Sequence, residues 1–146
     1  MEYFLEFHWW YIFVALIALF FINGKGGIVV KRFSANLQLI DDRFKDCIPE
    51  ATYSMFKEGN PHKIDIEIDR LPLEVGEVLA FELNGALLAN AKVKRDKEAE
   101  FEHWSDEDVY FPEVKAGDEL VIKYKGREIL KGTFQLEYPK PSTPNL

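Results

Sequence analysis

The chain has 146 residues, 47% of them hydrophobic, and a net charge of −7; this fits one domain of ordinary size and excludes a disordered chain. Residues 1–32 hold Glu2 and Glu6 against Lys25, Lys31 and Arg32, a net +1, so the rest of the chain carries −8 of the −7 total. Such an acidic domain lacks the clustered cations that phosphate backbones require, which excludes nucleic acid as a partner.

From Trp9 to Ile22 the sequence runs WWYIFVALIALFFI without a charge. This is shorter than the roughly 20 residues of a spanning helix, but Tyr3, Phe4, Leu5 and Phe7 extend it on one side and Gly26 to Val30 on the other. A surface helix would need a polar face, which the run lacks. A signal peptide would want a basic start and a small-residue cleavage site, and residues 1–8 contain no Lys or Arg. A buried core helix is the remaining alternative. The expectation is a short tail over 1–8, then a transmembrane helix with a glycine-rich exit over 9–30. Its anchor residues are Trp9, Trp10, Tyr11, Phe13, Leu16, Leu19, Phe20 and Ile22, with aromatic rings at headgroup depth. Lys25, Lys31 and Arg32 follow the run and no basic side chain precedes it. The positive-inside rule then favours a single-pass protein of the plasma (inner) membrane with its following domain on the cytoplasmic side, the periplasmic side being the alternative.

Beyond the anchor the period is two. Phe33, Ala35, Leu37 and Leu39 alternate with polar residues, as do Ile64, Ile66 and Ile68 with Asp65, Glu67 and Asp69; both patterns predict half-buried antiparallel strands. Ala51 to Lys57 and His62 to Asp69 pair across the Glu58-Gly59-Asn60-Pro61 turn. Asn84-Gly85 separates two further strands, Val78 to Leu83 and Ala86 to Val93, and predicts a two-residue type I′ hairpin. Ala99 to Trp104 and Leu120 to Tyr124 follow, the latter after the Lys115-Ala116-Gly117-Asp118 turn. Lys125-Gly126 turns the chain into Arg127 to Glu137, inside which Gly132 predicts a bulge or a break. About seven or eight short strands predict an all-β fold, an antiparallel β-sandwich over 33–138 in preference to a barrel. Residues 139–146, with Pro139, Pro141 and Pro144, form an extended tail.

The residues Leu71-Pro72, Val75-Gly76, Leu83-Asn84-Gly85, Pro112 to Asp118, Leu130 and Gly132-Thr133-Phe134 resemble a small, uncharacterised bacterial β-sandwich domain. The likeness covers under half the chain, rests on turn chemistry and core spacing, and implies a fold without an activity. Similar domains tend to follow secretion signals, which pulls toward the periplasmic side. One membrane span followed by an extrinsic β-domain also resembles accessory subunits of membrane complexes, such as the H subunit of purple bacterial reaction centres, in layout alone.

Chemistry is sparse. The single cysteine, Cys47, can form neither an internal disulfide nor a cysteine metal pair, and no nucleophile motif surrounds it. The sequence assigns no catalytic residue, no cofactor and no metal ligand set. Two acidic patches remain as candidate docking surfaces: Asp65, Glu67 and Asp69 along one strand face, and Asp106, Glu107 and Asp108 at the end of the run that begins at Glu100. Carboxylates beside His103 offer a divalent cation oxygen and nitrogen ligands, though without EF-hand spacing. The expected function is that of a non-catalytic, single-pass accessory or scaffold subunit. Its partners are the membrane and the other subunits of an integral complex, of the photosynthetic or respiratory kind. The alternative is a membrane-tethered ligand- or metal-binding module.

Overall fold

The computed structural model describes residues 27–57, 60–107 and 111–139. The anchor run Trp9–Ile22, the Glu58-Gly59 step, Asp108 and the tail after Pro139 lie outside the described residues. Among those described, no helix is long and apolar enough to cross a membrane. The strands are β1 (Val29–Ala35), β2 (Gln38–Leu39), β3 (Ile48–Phe56), β4 (Lys63–Asp69), β5 (Val78–Leu83), β6 (Ala86–Lys92), β7 (Ala99–Trp104), β8 (Glu119–Tyr124) and β9 (Arg127–Tyr138), with a 3-10 turn at Asp42–Phe44.

Alternation decides which side of each strand is dry. Ile64, Ile66 and Ile68 of β4 are fully buried, and so are Leu79 and Phe81 of β5 and Leu120 and Ile122 of β8. They meet Phe44, Tyr53, Ile129, Leu130 and Phe134 in one core. Burying side chains of this size contributes roughly 1.5–3 kcal/mol each before the entropy of ordering them is subtracted. Every ladder is antiparallel.

The expected two-sheet sandwich gives way to one continuous sheet in the order β6-β5-β8-β9-β1-β3-β4-β7, with β2 also on β9. The strand that joins the two halves is β9. Its first half pairs with β8, and its second half pairs with β1 from Phe134 to Tyr138. The two edge strands, β6 and β7, are consecutive in the chain and joined by a tight turn in which Lys94 N–H donates to the Glu98 carbonyl (2.8 Å) and Lys97 N–H to the Lys94 carbonyl (2.9 Å). The sheet is thereby nearly closed into a barrel. Period-two alternation is the same for a sandwich and a barrel, so the distinction turns on how strands connect.

Gly132 neither breaks β9 nor bulges it. The β8 ladder runs past it, Leu120 opposite Gly132. Its role is to admit a crossing: a Cβ there would lie 2.4 Å from the Asn36 carbonyl oxygen and 3.1 Å from Leu37 Cα. At that point the chain passes from β1 to β2 along the same edge of β9.

Asn84-Gly85 forms the expected turn. Both residues have positive φ, 51° and 81°, between the paired Leu83 and Ala86. Lys125-Gly126 does the same, with φ 50° and 78° between Tyr124 and Arg127. The likeness extends further, at one constant offset, that from Gly76 to Gly117. Gly76 N–H donates to the Val93 carbonyl (2.8 Å), and Gly117 N–H to that of Phe134 (2.7 Å). The Glu77 carboxylate accepts from Glu74 N–H, and the Asp118 carboxylate from Lys115 N–H, both at 2.7 Å. Leu73 corresponds to Val114, Leu79 to Leu120, and Phe81 to Ile122, all buried. Phe81 and Ile122 face each other across the β5–β8 ladder, so the β5–β6 and β8–β9 hairpins are related by a pseudo-two-fold axis through that pair. The residues of the sequence resemblance are largely the two copies of this one unit.

Candidate functional site: an acidic sheet face

The dry residues of β4 leave Asp65, Glu67 and Asp69 on its outer side, each half-buried. Pairing across the sheet decides their neighbours. Asp65 lies opposite Glu102 of β7 and Thr52 of β3, and Glu67 opposite Glu100 and Glu50. Glu98, just before β7, reaches the same face, with a carboxylate oxygen within 4.8 Å of those of Glu67 and Glu100. Seven carboxylates thus share one surface: Glu50, Asp65, Glu67, Asp69, Glu98, Glu100 and Glu102. Two lysines border it. Lys63 sits 3.9 Å from Asp65 and 3.6 Å from Glu102, and Lys94 3.8 Å from Glu98 and 3.5 Å from Glu100.

The crowding shows in the protonation equilibria. A hydrogen bond shared with Glu100, then burial and the Glu67 charge, push the Glu98 carboxyl up to about 7. Glu100, the receiving partner, is held low by the Glu98 hydrogen bond and by Lys94. Burial raises Asp65, which Lys63 offsets and Glu102 and Glu100 reinforce. Burial and the Asp69 charge raise Glu67. Among the described residues, Asp65 Oδ1 is the buried side-chain oxygen without a hydrogen-bond partner. Oxygens of Asp65, Glu100 and Glu102, and of Glu67, Glu98 and Glu100, lie within 4.8 Å of one another, a spacing that suits a hard divalent cation.

Glu98 makes stability depend on pH with a definite sign. Its folded pKa lies above the ordinary carboxylate value, so between about pH 4.5 and 7 the folded chain holds a proton that the unfolded chain has lost. Stability contributed by this group is present below that window and is lost as pH rises through it. The urea midpoint of the wild-type chain should fall between pH 5 and pH 8, and Glu98→Gln should flatten the fall. An unchanged slope in that variant would remove the shared proton from the account.

The second sequence patch divides. Glu100 and Glu102 belong to β7 and join the face just described, whereas Asp106 and Glu107 sit exposed in the turn after Trp104; Asp108 is outside the described residues. His103 points inward with Ala99 and Phe101, stacked on Phe101 (5.6 Å) and Phe111 (6.2 Å), with Glu107 3.9 Å from its Nδ1. It does not join the carboxylate face, so His103 and the carboxylates of β4 and β7 do not form one ligand set. His62 Nδ1 is engaged by the Tyr53 hydroxyl at 2.9 Å, and burial, then the Glu113 charge, push that phenol up to about 12. Burial also pushes the Cys47 thiol up, opposite to the direction of an activated nucleophile.

What sequence reading missed was Glu50, Glu98, Glu100 and Glu102 as neighbours of the β4 carboxylates. Alternation within Ala99–Trp104 already separates Glu100 and Glu102 from Ala99, Phe101 and His103; the missing step was the pairing of β7 with β4, which is not local in sequence. The chain matches no model of a known protein family, and a comparison with curated proteins finds no match.

Proposed function

We propose that this chain is a non-catalytic, single-pass accessory subunit whose acidic sheet face docks on basic surfaces of neighbouring subunits in an integral membrane complex. The observation that carries the reading is the seven-carboxylate face, in which Glu67 stands opposite both Glu50 and Glu100 and Asp65 opposite Glu102. A surface that repels itself in isolation is relieved when a cationic surface covers it. The apolar Trp9–Ile22 run supports the anchor, and Lys25, Lys31 and Arg32 support a cytoplasmic domain. Cytoplasmic loops of membrane proteins are rich in Lys and Arg, which is the chemistry this face fits. Confinement to the same bilayer raises the effective concentration of the partner, so a modest patch suffices.

The test uses the full chain extracted in mild detergent. Wild-type protein should migrate within a larger native assembly that dissociates as salt is raised, and should resist a carbonate wash of the membranes. Lysine at Asp65, Glu67 and Asp69 together should release the partners; lysine at Asp106 and Glu107 should have the smaller effect. Wild-type recovery of partners in both variants would overturn docking through acidic surfaces. The clustered carboxylate oxygens favour a second reading, a tethered divalent-cation module. A free monomer that binds calcium stoichiometrically, with loss in Glu100→Gln, would establish that reading instead.

A further inference from the structure

The register of the sheet aligns a second set of residues beside the acidic face. Tyr138 of β9 lies opposite Arg32 of β1, Arg32 opposite Ser54 of β3, Ser54 opposite Lys63 of β4, and Lys63 opposite Trp104 of β7. Partners in register share a face, so these five strands carry one continuous outer row: Tyr138, Arg32, Ser54, Lys63, Trp104. At about 4.8 Å between strands the row extends roughly 19 Å. It is aromatic at both ends and basic between them.

The row is held in place. Arg32 Nε donates to Ser54 Oγ (3.2 Å), the one side-chain hydrogen bond of Arg32 among the described residues, and Ser54 is a buried polar side chain. Lys63 Nζ lies 5.3 Å from the centre of the Trp104 ring, which is stacked on Phe56 at 5.6 Å. Two bulges shape the end near Arg32. On β1, Val29 pairs with Phe56 and Lys31 with Met55, leaving Val30 out of register; on β9, Arg32 pairs with Tyr138 and Phe33 with Leu136, leaving Glu137 out. Bulges at a barrel rim re-aim side chains. Here Val30 is left 48% exposed, beside Ile28 at 70% and Tyr138 at 51%, and a cavity of about 440 Å³ opens between Val29, Arg32, Glu137 and Tyr138.

We infer that this row is a membrane-contact belt, resting at the headgroup level of the bilayer that holds the anchor, with a lipid phosphodiester in the notch at Arg32. The inference rests on the anchor reading above. Chain length selects this occupant: Asn23 to Gly26 alone separate Ile22 from the described domain, so the β1 end of the barrel lies within roughly 17 Å of the end of the apolar run. Tyr and Trp at the ends of such a row match the interfacial preference of amphipathic rings, and Arg and Lys match the phosphate layer. Ile28, Val30 and Tyr138 supply apolar contact. Asp106 and Glu107 occupy the same end beyond Trp104, three strands from Arg32, and Glu137 lines the notch itself; the belt therefore suits a zwitterionic surface and does not depend on anionic lipid. The acidic face begins at the next row on the same side, at Asp65 and Glu102, whose carboxylates lie 3.9 and 3.6 Å from Lys63 Nζ; Lys63 thus bridges the row to that face, and the phosphate sits at the Arg32 end.

Trp104 reports on the belt directly. With Trp9 and Trp10 replaced by Phe, it is the one tryptophan left of the three in the chain. The full-length variant is reconstituted in phosphatidylcholine vesicles with or without lipid brominated near the carbonyl end of its acyl chains. We expect at least about a twofold loss of Trp104 emission with the brominated lipid, and less when the bromines lie near the chain ends. Arg32→Gln with Lys63→Gln should remove most of the quenching while circular dichroism stays unchanged. A chain that resists carbonate yet shows no quenching overturns the belt and leaves the anchor standing. Wild-type quenching in the double variant overturns the role of the two cations. Release by carbonate removes the anchor reading and this proposal with it.

Discussion

Gly132→Ala lowers the stability of the domain by about 3 kcal/mol, at the upper end of what a forced steric insertion costs, while Gly85→Ala lowers it by about 1 kcal/mol, the cost of a non-glycine residue in the left-handed region. The two glycines are needed for opposite reasons. Gly85 has φ +81° and nothing within 4 Å of where a Cβ would stand; the substitution strains one residue's backbone and touches nothing else. Gly132 has no such φ, but the added carbon would meet the Asn36 carbonyl oxygen at 2.4 Å and its carbon at 2.9 Å. Those are main-chain atoms that cannot rotate aside. Relief requires the β1–β2 passage to lift from β9, which loosens the Gln38–Lys131 and Ala35–Phe134 pairings together. Urea unfolding of the two full-length variants in mild detergent, followed by far-ultraviolet circular dichroism, gives the comparison. Equal midpoints would mean that the crossing at Gly132 is not as close as described.

The two glycines also mark what the sequence makes legible. Asn84-Gly85 is local: the dipeptide and its flanking strands predict the turn, and the turn is there. So is the inward face of Ile64, Ile66 and Ile68. Gly132 is not local. Its isolation in a strand pattern signals a constraint, but the constraint comes from Asn36, almost a hundred residues earlier in the chain. The barrel follows from the same non-local fact, because β9 carries both β8 and β1 only if the chain can cross there. The hairpin repeat was written in the sequence as Gly76, Leu79 and Gly85 against Gly117, Leu120 and Gly126. Few identities mark it, since the repeat is kept by backbone hydrogen bonds and buried volume, which many side chains satisfy. The acidic face was legible strand by strand and not as a whole. Asp65, Glu67 and Asp69 read as the wet face of one strand, and their crowding appears only once β7 and β3 bring Glu100, Glu102 and Glu50 alongside.

That crowding gives the proposed docking a sharper test than loss of binding alone. Replacing Glu67, Glu98 and Glu100 by Gln should make the isolated protein more stable and its association weaker. Glu67 faces Glu100 on one side and Glu50 on the other, and like charges placed directly opposite one another in a sheet cost roughly 0.2–1 kcal/mol per pair. Removing them should raise stability at pH 8 by about 1 kcal/mol, more than at pH 5, where Glu98 already holds its proton. Glutamine keeps the shape and the hydrogen-bonding capacity, so the surface should remain smooth and folded. Association moves the other way. Three carboxylates lost from contact with a basic surface, at about 0.5–1 kcal/mol each, weaken docking by roughly tenfold or more. Natural chains forgo stability at many sites, so it is the stability gain together with the binding loss, and not the gain alone, that would mark this face as a docking surface. Purified protein supplies the first measurement and recovery of the native assembly the second. A variant that is more stable and still recovers its partners at wild-type yield would mean that the acidic face is simply solvated, and that association runs through the anchor.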